Sequence, residues 1–239
     1  MPVESSAEGP DQGGAPLAGV SLRARRWLGA LVVGVVAAAV IGFGLDGRGG
    51  VKGPAPGTHL PPFAAPLALG DLSGDPNIAT APDQGTAGSR PACAVRGSGI
   101  LNICELYERG PVVLGLFFQS ASCPRIAAQL QSLASSFPGV EFALVAIKGS
   151  RAELRKRIAA KRLTLPVGFD RDGALASLYE VVTCTQIDFA YPGGVVQSAA
   201  LLTPPPPATL RARVSELVAA AEARGWRRPS RPPAAGTAG

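Results

Sequence analysis

Cys123 is the residue best placed to do chemistry, because of what flanks it on each side. Val112 to Phe118 is an apolar run with two β-branched residues and two phenylalanines. Such a run predicts a strand buried on both faces, as in the middle of an α/β sheet. After it the period changes: Ile126, Leu130, Leu133 and Phe137 recur at i, i+4, i+7 and i+11, the apolar stripe of a helix. Cys123 falls where that helix begins and Pro124 comes next, in its first turn, where a missing N–H costs nothing. Free N–H groups and the helix dipole favour a thiolate there, and cysteines so placed can have a pKa lowered to about 3.5–7.5. Arg125 adds positive charge if its side chain turns back toward the sulfur. The competing reading is a buried, inert cysteine serving as a small hydrophobe.

The other cysteines are Cys93, Cys104 and Cys184, and all four come after the longest apolar run of the chain. An even count on one side of such a run points to an oxidising compartment, and four cysteines allow three pairings. Ten residues separate Cys93 from Cys104, with Gly97 and Gly99 among them. A structural bridge is easy to close there and adds about 3 kcal/mol in the chain-entropy model; the alternative is two independent thiols. His59 is the only histidine, which leaves no histidine-based triad and no two-histidine metal site. No metal and no cofactor are expected.

The elements around these residues divide the chain. Residues 1–22 are rich in Gly, Pro, Ala and Ser without periodicity and read as a disordered N-terminus. Residues 23–45 read as a membrane anchor: Arg23, Arg25 and Arg26 precede nineteen uncharged residues, Trp27 to Leu45. A helix of that length spans roughly 28 Å, close to the hydrocarbon thickness. A cleaved signal peptide is the other reading, but no small-x-small site comes after Leu45. The arginines place the N-terminus in the cytoplasm and the residues from about 46 onward outside it. The chain then reads as a single-pass cell-membrane protein with an extracytoplasmic C-terminal part. Residues 46–62, with their Gly and Pro, read as a linker holding a solvated His59. Residues 226–239 read as a disordered tail. The net charge of +6 owes much to arginines at 23–26 and 224–231, without the aromatic interleaving that single-stranded nucleic acid needs. No nucleic-acid partner is expected.

Within 63–225 the pattern alternates. Val140 to Ile147 is a second apolar strand. Ser150 and Glu153 have the spacing of a capping box and open a helix carrying Arg151, Arg155, Lys156, Arg157, Lys161 and Arg162. Such a run is ordinarily a solvated face; contact with anionic headgroups is the functional alternative. Leu165 to Asp170 is a strand, Ala174 to Val182 a helix, and Ile187 to Leu202 a hairpin turning at Pro192-Gly193-Gly194. Thr209 to Arg224 is the last helix, with Gly225 at the C′ position.

Phe117-Phe-Gln-Ser-Ala-Ser-Cys123-Pro-Arg-Ile resembles the active-site segment of the thioredoxin-like superfamily. The resemblance is to redoxins, meaning membrane-anchored thiol–disulfide oxidoreductases and the alkyl hydroperoxide reductase/thiol-specific antioxidant group. It extends to Phe63-Ala-Ala-Pro-Leu and to Asp170-Arg-Asp-Gly with Tyr179-Glu-Val. The chain departs from the pattern in four places, the first being Ser122, where an aromatic residue often precedes the first cysteine. Ile126 stands where the second cysteine of Cys-x-x-Cys belongs. Ser120 fits the hydroxyl position of the peroxiredoxin motif, but Leu116 replaces its proline. Thr185 occupies the place of the cis-proline, in a loop 183–186 that faces the active-site cysteine in that fold. The resemblance implies an α/β, thioredoxin-like mixed sheet with flanking helices over 63–225, and it brings Cys184 near Cys123.

Three functions fit. The first is a membrane-tethered thiol–disulfide oxidoreductase acting on a protein client, with Cys123 as nucleophile and Cys184 as resolving thiol. Ser120, Pro124, Arg125 and Thr185 would support them. The second is a thiol peroxidase, in which Cys123 becomes a sulfenic acid. The third is a non-catalytic thioredoxin-like binding module, favoured by the missing motif cysteine and by Thr185.

Overall fold

The computed structural model describes residues 53–85, 88–120 and 125–229. The expected anchor at 23–45, the segment before it, and the residues Cys123 and Pro124 lie outside these. No helix among the described residues is long and apolar enough to cross a membrane.

Five strands form the main sheet: β3 (Val112–Phe118), β4 (Glu141–Ile147), β5 (Val167–Asp170), β6 (Thr185–Ala190) and β7 (Val196–Leu201), in the order β5-β4-β3-β6-β7. β3, β4 and β5 are parallel; β6 and β7 run antiparallel to their neighbours. A separate antiparallel pair, β1 (Ala64–Pro66) and β2 (Ile100–Asn102), precedes them. The helices are α1 (Ile103–Arg109), α2 (Arg125–Ala134), α3 (Arg151–Lys161), α4 (Ala174–Leu178) and α5 (Pro207–Ala223). From β3 onward the order is the expected β-α-β-α-β-α-β-β-α.

Strand alternation feeds two cores. Val113 and Phe117 of β3 join Ile126, Leu130 and Leu133 of α2, Leu154 and Ile158 of α3, and Leu210, Val214 and Leu217 of α5. Val112, Leu114 and Leu116 face the other way, onto Phe63, Ile103, Leu106, Leu175 and Tyr179. Gly115 lies on the α2 side, and a Cβ there would stand 2.8 Å from both Leu130 and Leu144. Its missing side chain lets α2 seat close over the central strand.

Local signals explain several ends. Ser150 Oγ accepts the Glu153 N–H at 3.3 Å and starts α3. Asp170 accepts the N–H groups of Gly173, Ala174 and Leu175 at 3.0, 3.1 and 2.9 Å, starting α4. Helix α4 ends at Leu178 rather than Val182, and Glu180 beyond it has a φ of 51°.

Three expectations need correction. Residues 53–62, expected to be linker, pack on the domain. His59 bridges Val195, Leu60 is 2% exposed, and across the edge at β7 the Gly57 N–H donates to the Val196 carbonyl, the Val196 N–H to that of Thr58 and the Leu60 N–H to that of Gly194. Of the basic residues on α3, Arg151 and Arg155 do more than face solvent: Arg151 donates to the carbonyls of Leu67, Ala68, Gly70 and Leu72, and Arg155 to those of Ala68 and Gly70. The start of the expected tail is also packed. Trp226 borders the core and, with Pro229, covers Gly139.

Candidate active site

The site is built on one strand pairing. Because β6 runs antiparallel to β3, the start of β6 lies beside the end of β3, with Thr185 opposite Phe117. The loop before Thr185 therefore sits against Phe118 and Ser120, at and just after the end of β3. The Phe118 N–H donates to the Cys184 carbonyl at 3.1 Å. Ser120 Oγ lies 3.7 Å from Cys184 Sγ.

Cys184 is exposed and is disulfide-bonded. Cys93 and Cys104 are joined to each other, with Cα atoms 5.4 Å apart, and Cys93 Sγ lies 3.7 Å from the Tyr107 hydroxyl. That bridge ties the segment before β2 to α1, away from the β3–β6 junction in sequence and in strand order.

The other expected site residues occupy distinct places in the fold. Thr185 is 2% exposed and opens β6; the described residues contain no cis peptide bond. Ser120 is exposed beside Cys184. Arg125 is the first residue of α2. Cys123 and Pro124 lie outside the described residues. His59 is exposed at the β7 edge. Among the described residues no group of three or more His, Cys, Asp or Glu side chains could hold a metal ion.

Two features escape sequence reasoning. Thr183 Oγ1 lies 2.8 Å from the Thr185 carbonyl and 2.7 Å from that of Leu202, holding the Cys184 loop to the end of β7. Behind the loop, Gln186 and Asp188 are buried on one face of β6. Burial pushes the Asp188 carboxyl up to about 7, against the opposing pull of the Gln186 hydrogen bond. A lone acid in Ile187-Asp-Phe189 was the available signal, since an acid in an apolar strand must be neutral, paired or exposed. Val182, next to Thr183, is an apolar side chain left 55% exposed.

An exposed, disulfide-bonded cysteine with a hydroxyl beside it, next to the start of a strand, can take part in thiol–disulfide exchange. No family model matches this chain, and no curated protein does. Solved structures do. A secreted thiol-disulfide isomerase from Corynebacterium glutamicum superposes with a TM-score of 0.52 at 13% identity, over 72% of this chain and 95% of that one. A candidate thiol:disulfide interchange protein DsbE from Chlorobium tepidum gives 0.51 at 15%, over 70% and 96%. A candidate protein disulfide isomerase from Bacteroides thetaiotaomicron gives 0.51 at 11%, over 73% and 98%. With Ser120, just after β3, beside the residue that precedes β6, these similarities establish that the chain has the thioredoxin-like fold.

Proposed function

We propose that this chain is a membrane-tethered thiol–disulfide oxidoreductase working outside the cytoplasm, with Cys123 as nucleophile and Cys184 as its resolving partner. The observation that carries the reading is Cys184, exposed just before β6, beside the end of the central strand β3, and in disulfide form. Cys93 and Cys104 hold each other, so of the four cysteines Cys123 is the one left to pair with it. The solved structures of similar fold are described as thiol–disulfide exchange proteins, which supports the same chemistry. The tether is supported by the uncharged run Trp27 to Leu45 and the arginines before it.

Exchange then runs in two balanced steps. A client thiolate attacks the Cys123 sulfur, forming a mixed disulfide and releasing Cys184 as a thiolate. A second client thiolate attacks the client sulfur of that mixed disulfide and expels Cys123. Two electrons pass from client to enzyme. The reverse sequence reduces a client disulfide, and the relative reduction potentials set the direction.

The test is non-reducing peptide mapping of the full chain together with single cysteine variants. We expect a peptide joining Cys123 to Cys184. Cys123→Ser should abolish insulin-type disulfide reduction, and Cys184→Ser should accumulate mixed disulfides with clients. A Cys123 that resists alkylation at neutral pH, in a parent chain that exchanges no disulfide, overturns the enzyme, and a serine variant as active as an active parent overturns Cys123 as the nucleophile. A reporter fused after Gly239 should be active only outside the cytoplasm; activity inside it removes the tether's orientation.

A further inference from the structure

We infer that Ser120 is the hydrogen-bond donor to the Cys184 thiolate set free when its disulfide opens, and so favours Cys184 as the leaving sulfur. The motif resemblance places this hydroxyl in the service of Cys123; the geometry puts it 3.7 Å from Cys184 Sγ. A sulfur in a disulfide carries no hydrogen, so of the two atoms the Ser120 hydroxyl is the donor. Backbone contacts on each side hold the pair in register. The Phe118 N–H bonds the Cys184 carbonyl, and the Ser120 N–H bonds the Phe118 carbonyl at 2.8 Å. The Thr183 hydroxyl fixes the other side of the loop. These bonds fix the backbone on both sides of the Ser120–Cys184 contact.

The consequence is directional. A disulfide has two sulfurs, and attack at one expels the other as a thiolate. The thiol of lower pKa leaves faster. A hydroxyl donating to an anion makes a stronger bond than to a neutral sulfur, so Ser120 gains strength as the Cys123–Cys184 bond breaks and charge collects on Cys184. The client thiol is the reductant. Its sulfur bonds to Cys123, the electron pair of the old bond goes to Cys184, and that thiolate is later protonated by solvent. This assignment rests on the proposed pairing of Cys123 with Cys184, whereas the thiol measurement below depends on Cys184 and Ser120 alone.

The experiment is the pH profile of iodoacetamide alkylation at Cys184 in the reduced full chain, read by mass spectrometry on the Cys184 peptide. Parent, Ser120→Ala and Ser120→Thr are compared. The alanine variant should raise the Cys184 pKa by about one unit, a tenfold loss of thiolate below the pKa, and threonine should restore it. In single-turnover reduction by a client dithiol the alanine variant should be slower, about threefold if roughly half the pKa change appears in the rate. At a pH where the thiol is ionised, its reduction potential should fall by about 30 mV, the equivalent of tenfold in the exchange constant. Equal pKa values in parent and Ser120→Ala overturn the assignment, as does a Ser120→Thr variant that behaves like alanine. If peptide mapping finds Cys184 joined elsewhere, the proposed function falls, while the effect of Ser120 on the Cys184 pKa still reads out separately.

Discussion

Gln186 Nε2 stands 3.2 and 3.0 Å from the two carboxylate oxygens of Asp188, and it also donates to the Tyr179 carbonyl at 3.1 Å. One amide thus ties β6 to the end of α4 and is the side-chain hydrogen bond that offsets the burial of Asp188. Both side chains lie on the face of the sheet opposite α2, two and four residues along the chain from Cys184.

The Asp188 carboxyl is predicted to make stability fall as pH rises. Burial holds it at about 7 in the folded chain, against about 3.9 for an unperturbed aspartate. Between those values the unfolded chain gives up a proton that the folded chain keeps. The folded state therefore binds more protons, and unfolding becomes easier with increasing pH across that window. The contribution is complete below about pH 4 and gone above about pH 7. Asp188→Asn keeps an acceptor for Gln186 and cannot ionise. Urea midpoints at pH 5 and pH 8 should show the asparagine variant gaining on the parent at the higher pH. Two curves that stay parallel would mean that Asp188 ionises as easily folded as unfolded.

Arg151 is predicted to be a stability residue rather than part of a solvated or headgroup-binding face. Its guanidinium is shared among four carbonyls of the segment after β1, including that of Gly70 at 2.7 Å. Ala68 within this segment is fully buried, so its polar backbone needs partners. Arg151→Ala should cost about 1–2 kcal/mol, less than the sum of separate bonds because Arg155 still reaches Ala68 and Gly70. Arg151→Lys should recover little, since one ammonium cannot fork across several acceptors. Hydrogen exchange at residues 68–72 should rise in both variants. Unchanged exchange would assign the segment's order to other contacts.

The elements that seat the site were largely legible. β3 is found over the residues where an apolar run had to be a buried strand, and α2 forms where the apolar period changes after Cys123. The Ser150 and Glu153 spacing marked the start of α3. Helix α1 was missed although Asn102 caps it, accepting the Cys104 N–H at 2.8 Å, and Glu105 stands in its first turn. What stayed hidden is non-local. Residues 53–62 have a linker's composition, and they are held by partners more than a hundred residues away, the chain around Val195 and the Tyr179 hydroxyl. The partners of Arg151 lie 79 to 84 residues back in the chain, where no local pattern points. The Ser120–Cys184 contact spans 64 residues. The resemblance placed Cys184 near the active-site segment but gave it no particular neighbour.

The position of α2 should depend on Gly115 more than on any polar contact. The two helix-side neighbours on β3, Val113 and Phe117, fill the core, and Gly115 between them leaves the hollow that Leu130 enters. A Cβ would meet Leu130 Cδ1 and Leu144 Cδ2 at 2.8 Å and Ile126 Cδ1 at 3.3 Å. All three neighbours are side chains in a close-packed interior, so they yield only by leaving good rotamers or by lifting the helix. Gly115→Ala should therefore cost about 1–3 kcal/mol, the usual size of overpacking. Valine should cost more. The backbone conformation is not the obstacle, because residue 115 is an ordinary strand residue. Pairing Gly115→Ala with Leu130→Ala makes room, so the double variant should be less destabilised than the sum of the two single ones, by at least about 0.5 kcal/mol. Lifting α2 would also displace its first turn, and the single variant should lose disulfide-exchange activity beyond its loss of folded protein. Strict additivity in the urea midpoints, with exchange activity per folded molecule unchanged, would show that the close approach of α2 to β3 does not set the geometry of the site.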